Sequence, residues 1–278
     1  DIYSMARAIQ SKENQIRNNK IAIVSEFRYE FLVTYLANIM VNNAVVLIDN
    51  KLSKNVIEKV IKKHNINTIF FSSTYKEKIL EIIKNNNCNN FNLINFDSEN
   101  QFQIIEYEKL MNLGRYIENY SIEKITKEEN REKSTIIVSL AGEKRYSQQE
   151  LIETANAISK TMRIRKRREV NALEQVNTFY EVVVGIIVPM LCGLNTKYFA
   201  DNKFIKDDLL IIEENNKNMI ILYRKHKYLV ENVGINTYVA REEENLLIKE
   251  NKSNTQNFVL IKAEKKERVK ENKRQATI

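Results

Sequence analysis

Four residues able to act on an anion stand close together: Ser139, Gly142, Lys144 and Arg145, at the end of and just after the apolar run Thr135–Ser139 (TIIVS). A hydroxyl, two cations and the backbone amides freed at a glycine turn are the groups that hold a phosphate at the start of a helix. The run reads as a strand, and LAGEKRYSQQELIETANAISK behind it as the start of a helix. With one glycine, this turn can hold an anion only weakly. An ordinary strand-to-helix turn with basic residues is the competing reading. A second basic group, Arg163–Arg168 (RIRKRR), has no interleaved aromatics and no nucleic-acid module around it, so it reads as a solvated connector. Nucleic acid is therefore not an expected partner. Cys88 and Cys192 lack metal-ligand spacing, which points to no metal site and fits a reduced, cytoplasmic setting.

These groups need a scaffold, and 278 residues are enough to bury a large core. No apolar run approaches the ~20 residues of a membrane span. The net charge of +8 is spread along the chain, with a further basic run at Lys262–Arg274. Glycine and proline are scarce: 5 and 1 are present, where average usage gives about 20 and about 14. Helices and strands tolerate that scarcity; loops that bring backbone close to phosphate do not.

The segment Lys20–Lys63 sets the architecture. An apolar run, Ile21–Val24, ends on Ser25 and Glu26, and Phe27, Phe31, Tyr35, Ile39 and Met40 follow at roughly helical spacing. A second run, Ala44–Ile48, ends on Asp49; Ser53 then opens a helix with Ile57, Val60 and Ile61 on one face. Thr68–Ser72 is a third strand. Strands separated by helices pair in parallel through right-handed crossovers. The expected fold is an α/β sandwich on a parallel sheet. Beyond it, DIYSMARAIQ reads as a helix, Tyr75–Lys84 as a helix, Phe91–Phe96 as a strand, and Val182–Leu191 as a buried apolar helix leading to a strand at Thr196–Phe199.

Within the first block, Ala22-Ile23, Ser25-Glu26, Arg28, Tyr29-Glu30, Val45-Val46 and Leu47-Ile48-Asp49 resemble the N-terminal region of adenylate-forming (AMP-binding) enzymes, nearest to bacterial long-chain acyl-CoA synthetases. Thr178, Glu181, Gly185, Pro189, Gly193, Tyr198 and Asp208-Leu209 are similar to a later segment of that family. The resemblance implies ATP and Mg²⁺ as cofactors, with fatty acid and coenzyme A as partners. It implies nucleotide contacts at Ser139, Gly142, Lys144 and Arg145, where the family has a phosphate loop rich in Ser, Thr and Gly. It implies an acyl pocket at Thr178, Phe179, Tyr180 and Gly185; for Phe179 and Tyr180, core packing is the alternative.

Several family groups are altered here. Two of three loop glycines and the threonine pair are replaced. Val176 and Asn177 stand where the family has two histidines, and neither does an imidazole's work at neutral pH. The motifs that support Mg²⁺ and hold the ribose do not occur in this sequence. Asn218–Leu247 resembles the family's hinge and the start of its small C-terminal domain, carried by Arg224, Lys225, Gly234, Asn236, Tyr238 and Glu243. The expected organisation is an AMP-binding-like domain over 1–210, a hinge and C-terminal-domain remnant over 211–262, and a basic tail over 263–278. The expected function is that of an ATP-dependent acyl-activating ligase with little or no catalysis. The alternatives are a non-catalytic nucleotide- or acyl-binding protein, and a basic polyanion-binding protein.

Overall fold

A computed structural model describes residues 1–11, 20–85, 91–97, 104–117, 134–140, 142–162, 164, 169–173 and 177–199. It also describes the backbone of 208–214, 218–223, 226–233, 236–242 and 258–262. The chain divides into two compact units, Asp1–Gln149 with Val176–Phe179, and Glu150–Gln175 with Tyr180–Ile278.

The first unit is built on seven strands: β1 (Lys20–Val24), β2 (Ala44–Ile48), β3 (Thr68–Phe71), β4 (Asn92–Asn95), β5 (Ile104–Glu106), β6 (Ser134–Ser139) and β7 (Gly142–Ser147). Their order is β5-β4-β3-β1-β2-β6-β7, and every pair is parallel except the antiparallel β6–β7. The expected parallel α/β fold is therefore found. Helices α1 (Ile2–Gln10), α2 (Tyr29–Met40), α3 (Lys54–His64), α4 (Lys76–Asn85) and α5 (Tyr107–Tyr116) accompany these strands.

The strands are apolar on both faces because helices cover both. Ala22, Val24, Val46, Ile48, Ile69, Phe71, Leu93, Ile136 and Val138 pack with Ile57, Val60 and Ile61 of α3 and Ile79 and Ile82 of α4. The alternate residues Ile21, Ile23, Val45, Leu47 and Phe70 are buried as well, and period-two alternation turns them to the other face. There the hydroxyls of Tyr35 on α2 and Thr135 on β6 meet at 2.9 Å. Burial of that phenol pushes its pKa well above the ordinary tyrosine value, so it stays a neutral hydrogen-bonding group. Phe96 links Phe70 to Tyr107 of α5 through ring contacts at 6.2 and 5.5 Å.

One glycine is fixed by packing. A Cβ at Gly114 in α5 would stand 1.8 Å from the carbonyl oxygen of Ser4 in α1, so the two helices touch backbone to backbone there. Asn65 ends α3 in the left-handed region at φ 51°. Buried Ile66 then closes the cap by donating its amide to Ile61.

The second unit carries another seven-stranded sheet, in the order β14-β13-β12-β11-β10-β8-β9. Its strands are β8 (Glu169–Leu173), β9 (Asn195–Phe199), β10 (Asp208–Glu214), β11 (Asn218–Tyr223), β12 (His226–Val233), β13 (Asn236–Glu242) and β14 (Phe258–Lys262). β8 pairs in parallel with β9 and β10, and β10 to β14 run as an antiparallel meander. Strand β10 crosses the expected division at 210/211. The segment expected to be a hinge contributes three strands, β11 to β13, to one ladder.

Helix α6 (Gln148–Thr161) begins where the two units meet in sequence. The apolar helix expected over Val182–Leu191 is instead three pieces: α7 (Phe179–Val182), a π-helical turn (Val183–Ile187) and α8 (Val188–Cys192). Met190 and Leu191 are exposed rather than buried. Among the described residues no helix is long and apolar enough to cross a membrane.

Candidate functional site

The parallel strands of the first sheet all end at one edge, and most of them end on polar residues. Ser25 and Glu26 follow β1, Asp49 and Asn50 follow β2, Ser72 and Ser73 follow β3, Asp97 lies just beyond β4, and Ser139 closes β6. Open α/β sheets bind ligands at this edge, above all where strand order reverses. Here the reversal lies between β1 and β3.

That crevice is filled by its own side chains. Ser72 donates to Glu26 at 2.6 Å. Arg28, the N-cap of α2, donates to Glu30 at 2.6 Å and to Asp97 at 2.8 Å. Asp97 also accepts the Ser73 amide at 2.7 Å, and Asn95 donates to the Ser73 hydroxyl at 2.9 Å. Partial burial works against charge on Asp97, but the Ser73 amide and Arg28 outweigh it and hold its carboxyl below the usual range. Burial likewise opposes charge on Arg28, and Glu30 and Asp97 more than restore it. Lys78 of α4 reaches the carbonyls of Asn50 and Leu52, which ties the turn after β2 to the same edge.

The expected anion-binding residues sit two strands away, on the β6–β7 hairpin. The expectation of a strand leading through a loop directly to a helix is corrected here. Gly142–Ser147 is a strand paired residue for residue with β6, and the helix starts only at Gln148. Ser139 pairs with Gly142 at the end of that ladder.

Gly142 has φ +110°, a conformation that favours glycine, and a Cβ there would meet nothing within 4 Å. The turn geometry alone accounts for that glycine. Ser139, Gly142 and Lys144 lie on one face of the hairpin, and Arg145 lies on the other, because successive strand residues point to opposite faces. The two cations therefore do not converge on one phosphate. Glu143, on the face opposite Lys144, takes Lys63 at 2.9 Å and has His64 at 3.1 Å, which fastens the hairpin to α3. Burial raises the carboxyl of Glu143, and the contacts from Lys63 and His64 outweigh it and bring it below its ordinary value.

The expected acyl residues divide between the units. Thr178 is half-buried and Phe179 is 6% exposed, and both belong to the first unit. Phe179 rests on Tyr146 of β7, with ring centroids 4.4 Å apart and planes at 32°. Tyr146 was not among the expected residues. Its signal was its place two positions after Lys144 on a strand, hence on the same face. Tyr180 and Gly185 belong to the second unit, and both are buried.

Gly185 lies in the π-helical turn for a covalent reason. In α-helical geometry its carbonyl would accept the amide of residue 189, which is Pro189 and has no N–H. The Tyr198 hydroxyl donates to that carbonyl instead, at 2.7 Å. Burial pushes the Tyr198 hydroxyl up to about 12. Gly193 then ends α8 at φ +58°, with Leu194 donating back to Pro189.

Asn177 is half-buried beside Thr178, and Val176 lies outside the described residues. Of the hinge residues, Asn236 pairs with Val233, and Tyr238 with Glu231 and Lys262, as ordinary ladder positions. Arg224, Lys225, Gly234, Glu243, Cys88 and, apart from Ile164, the cluster at 163–168 lie outside the described residues. Cys192 is buried and unbridged.

No family model matches the sequence, and no curated protein matches it. Solved structures do share the fold. A putative long-chain-fatty-acid CoA ligase from Rhodopseudomonas palustris aligns at 13% identity with a TM-score of 0.60, over 73% of this chain and 49% of that one. A red emitting luciferase from Phrixothrix hirtus aligns at 13% identity and a TM-score of 0.60, over 73% and 40%. The N-terminal domain of FACL13 from Mycobacterium tuberculosis aligns at 11% and 0.53, over 73% and 48%. The chain spans about half or less of the length of these structures. The shared property is the fold, that of acyl-CoA ligases and other AMP-binding enzymes.

Proposed function

We propose that this chain is a motif-degenerate relative of the ATP-dependent acyl-activating ligases, with little or no adenylating activity and with acyl-contacting residues retained at Thr178 and Phe179. The observation that carries this reading is the pairing of Ser139 with Gly142 at the end of the β6–β7 ladder. A phosphate loop holds a triphosphate by aiming several backbone amides and a lysine at one point. Here one glycine stands in a closed hairpin, and Lys144 and Arg145 project from opposite faces.

ATP and Mg²⁺ are implied by the fold, but the hairpin residues do not fit a triphosphate, so no catalytic step is derived through them. Losing a single stabilising donor costs about 10²–10³ in rate. Altering the loop and the histidine pair together leaves little catalysis. What the residues still offer is apolar contact from Phe179 and a half-buried hydroxyl on Thr178.

Pyrophosphate exchange with ATP, Mg²⁺ and a panel of fatty acids is expected to stay at background. Saturable exchange that disappears in Lys144→Ala would overturn the reading. Calorimetric titration with dodecanoate is expected to give saturable heat, whereas titration with ATP gives none.

A further inference from the structure

Tyr146 sits in β7 across from Thr135, which itself meets Tyr35 of α2 at 2.9 Å. Its backbone is thus held by the β6 ladder, on a stretch of sheet that the scaffold fixes. Phe179 opens α7 immediately after the bend at Asn177 and Thr178, and it is 6% exposed against a half-buried Tyr146. Ring-on-ring contact at 4.4 Å fixes orientation as well as burying area.

We propose that Tyr146 is a positioning residue for the acyl-contacting segment. Its ring sets where Phe179 stands and ties residues 177–179 to the strand that carries Lys144. A ligand that displaces Phe179 must repack Tyr146, and a shift of β7 moves Phe179. The consequence for acyl binding rests on the reading above; the anchoring itself does not.

The test uses the full chain with Tyr146→Leu, which keeps apolar volume but loses the ring, and Tyr146→Phe, which keeps the ring. Amide hydrogen exchange followed by mass spectrometry is expected to show about three- to ten-fold lower protection over 177–182 in the Leu variant. Protection over 20–48 should stay at the wild-type level, and the Phe variant should behave as wild type throughout. Dodecanoate affinity should fall by a similar factor in the Leu variant and recover in the Phe variant. Unchanged protection over 177–182 in the Leu variant would overturn the proposal, as would an equal loss across 20–48. If the wild-type chain binds no dodecanoate, the acyl-binding reading fails, and the exchange result still decides the role of Tyr146.

Discussion

Two turns at the same edge of the first sheet have opposite construction. The turn after β3 is cross-braced: Ser72 holds Glu26, and Ser73 is held by Asp97 and Asn95, with Arg28 closing the circuit from the next strand over. After β6, Leu140 is 79% exposed and Gly142 faces open space. The first turn lies where an α/β sheet would admit a ligand and fills that crevice with hydrogen-bonded side chains, three carboxylates around the single Arg28. The second carries the residues expected to meet a nucleotide, and there Ser139 pairs directly with Gly142. The scaffold is thus densely determined, while the expected nucleotide site has few groups that act together.

If that contrast is sound, the largest losses come from the scaffold. Gly114→Ala drives a methyl into the Ser4 carbonyl, and urea denaturation should show a loss of about 3 kcal/mol. A near-neutral result would mean that α1 is not seated on α5 as described.

Arg28→Ala removes the cation from among Glu26, Glu30 and Asp97, at an expected cost of about 1–2 kcal/mol for a partly exposed group. The pH dependence sharpens this. Asp97 titrates below its unfolded value, so its contribution is present above the ordinary carboxylate range and is lost as pH falls through its folded pKa. The stability gap between wild type and Arg28→Ala should therefore narrow on acidification from neutral pH. A gap that widened would contradict the bracing.

Tyr198→Phe removes the hydroxyl that donates to the Gly185 carbonyl and should cost about 1 kcal/mol in thermal or urea unfolding. Lys144→Ala, on an exposed edge strand, should change stability by less than about 0.5 kcal/mol and leave ATP titrations as flat as in wild type. A measurable ATP signal lost in this variant would collapse the difference between the two turns.

The parallel core was legible because strands buried on both faces read as unbroken apolar runs, as in Ile21–Val24 and Ala44–Ile48. Strand β7 was not legible, because Gly142, Glu143, Lys144 and Arg145 are all exposed and only pairing with β6 makes them a strand. Those charges suit an edge strand, where they discourage pairing with another chain. The π-helical turn was hidden because an all-apolar stretch carries no period to disturb. Pro189 was the available signal, since its missing N–H falls four residues after Gly185. Tyr146 was missed because it lies in a polar run; the contact that matters comes from a segment 33 residues later. The meander β10–β13 was not legible as strands, because its segments, such as DLLIIEE and NMIILY, lack clean alternation.

The replacement of an absent amide by a phenol has an evolutionary corollary. Positions 189 and 198 are conditional on each other: the tyrosine hydroxyl matters because a proline precedes it by nine residues. With Pro189→Ala in place, the helix regains a donor for the Gly185 carbonyl, and Tyr198→Phe should then cost less than it does alone. The two sites would show epistasis, so a lineage free to change either one first would find the order of change constrained.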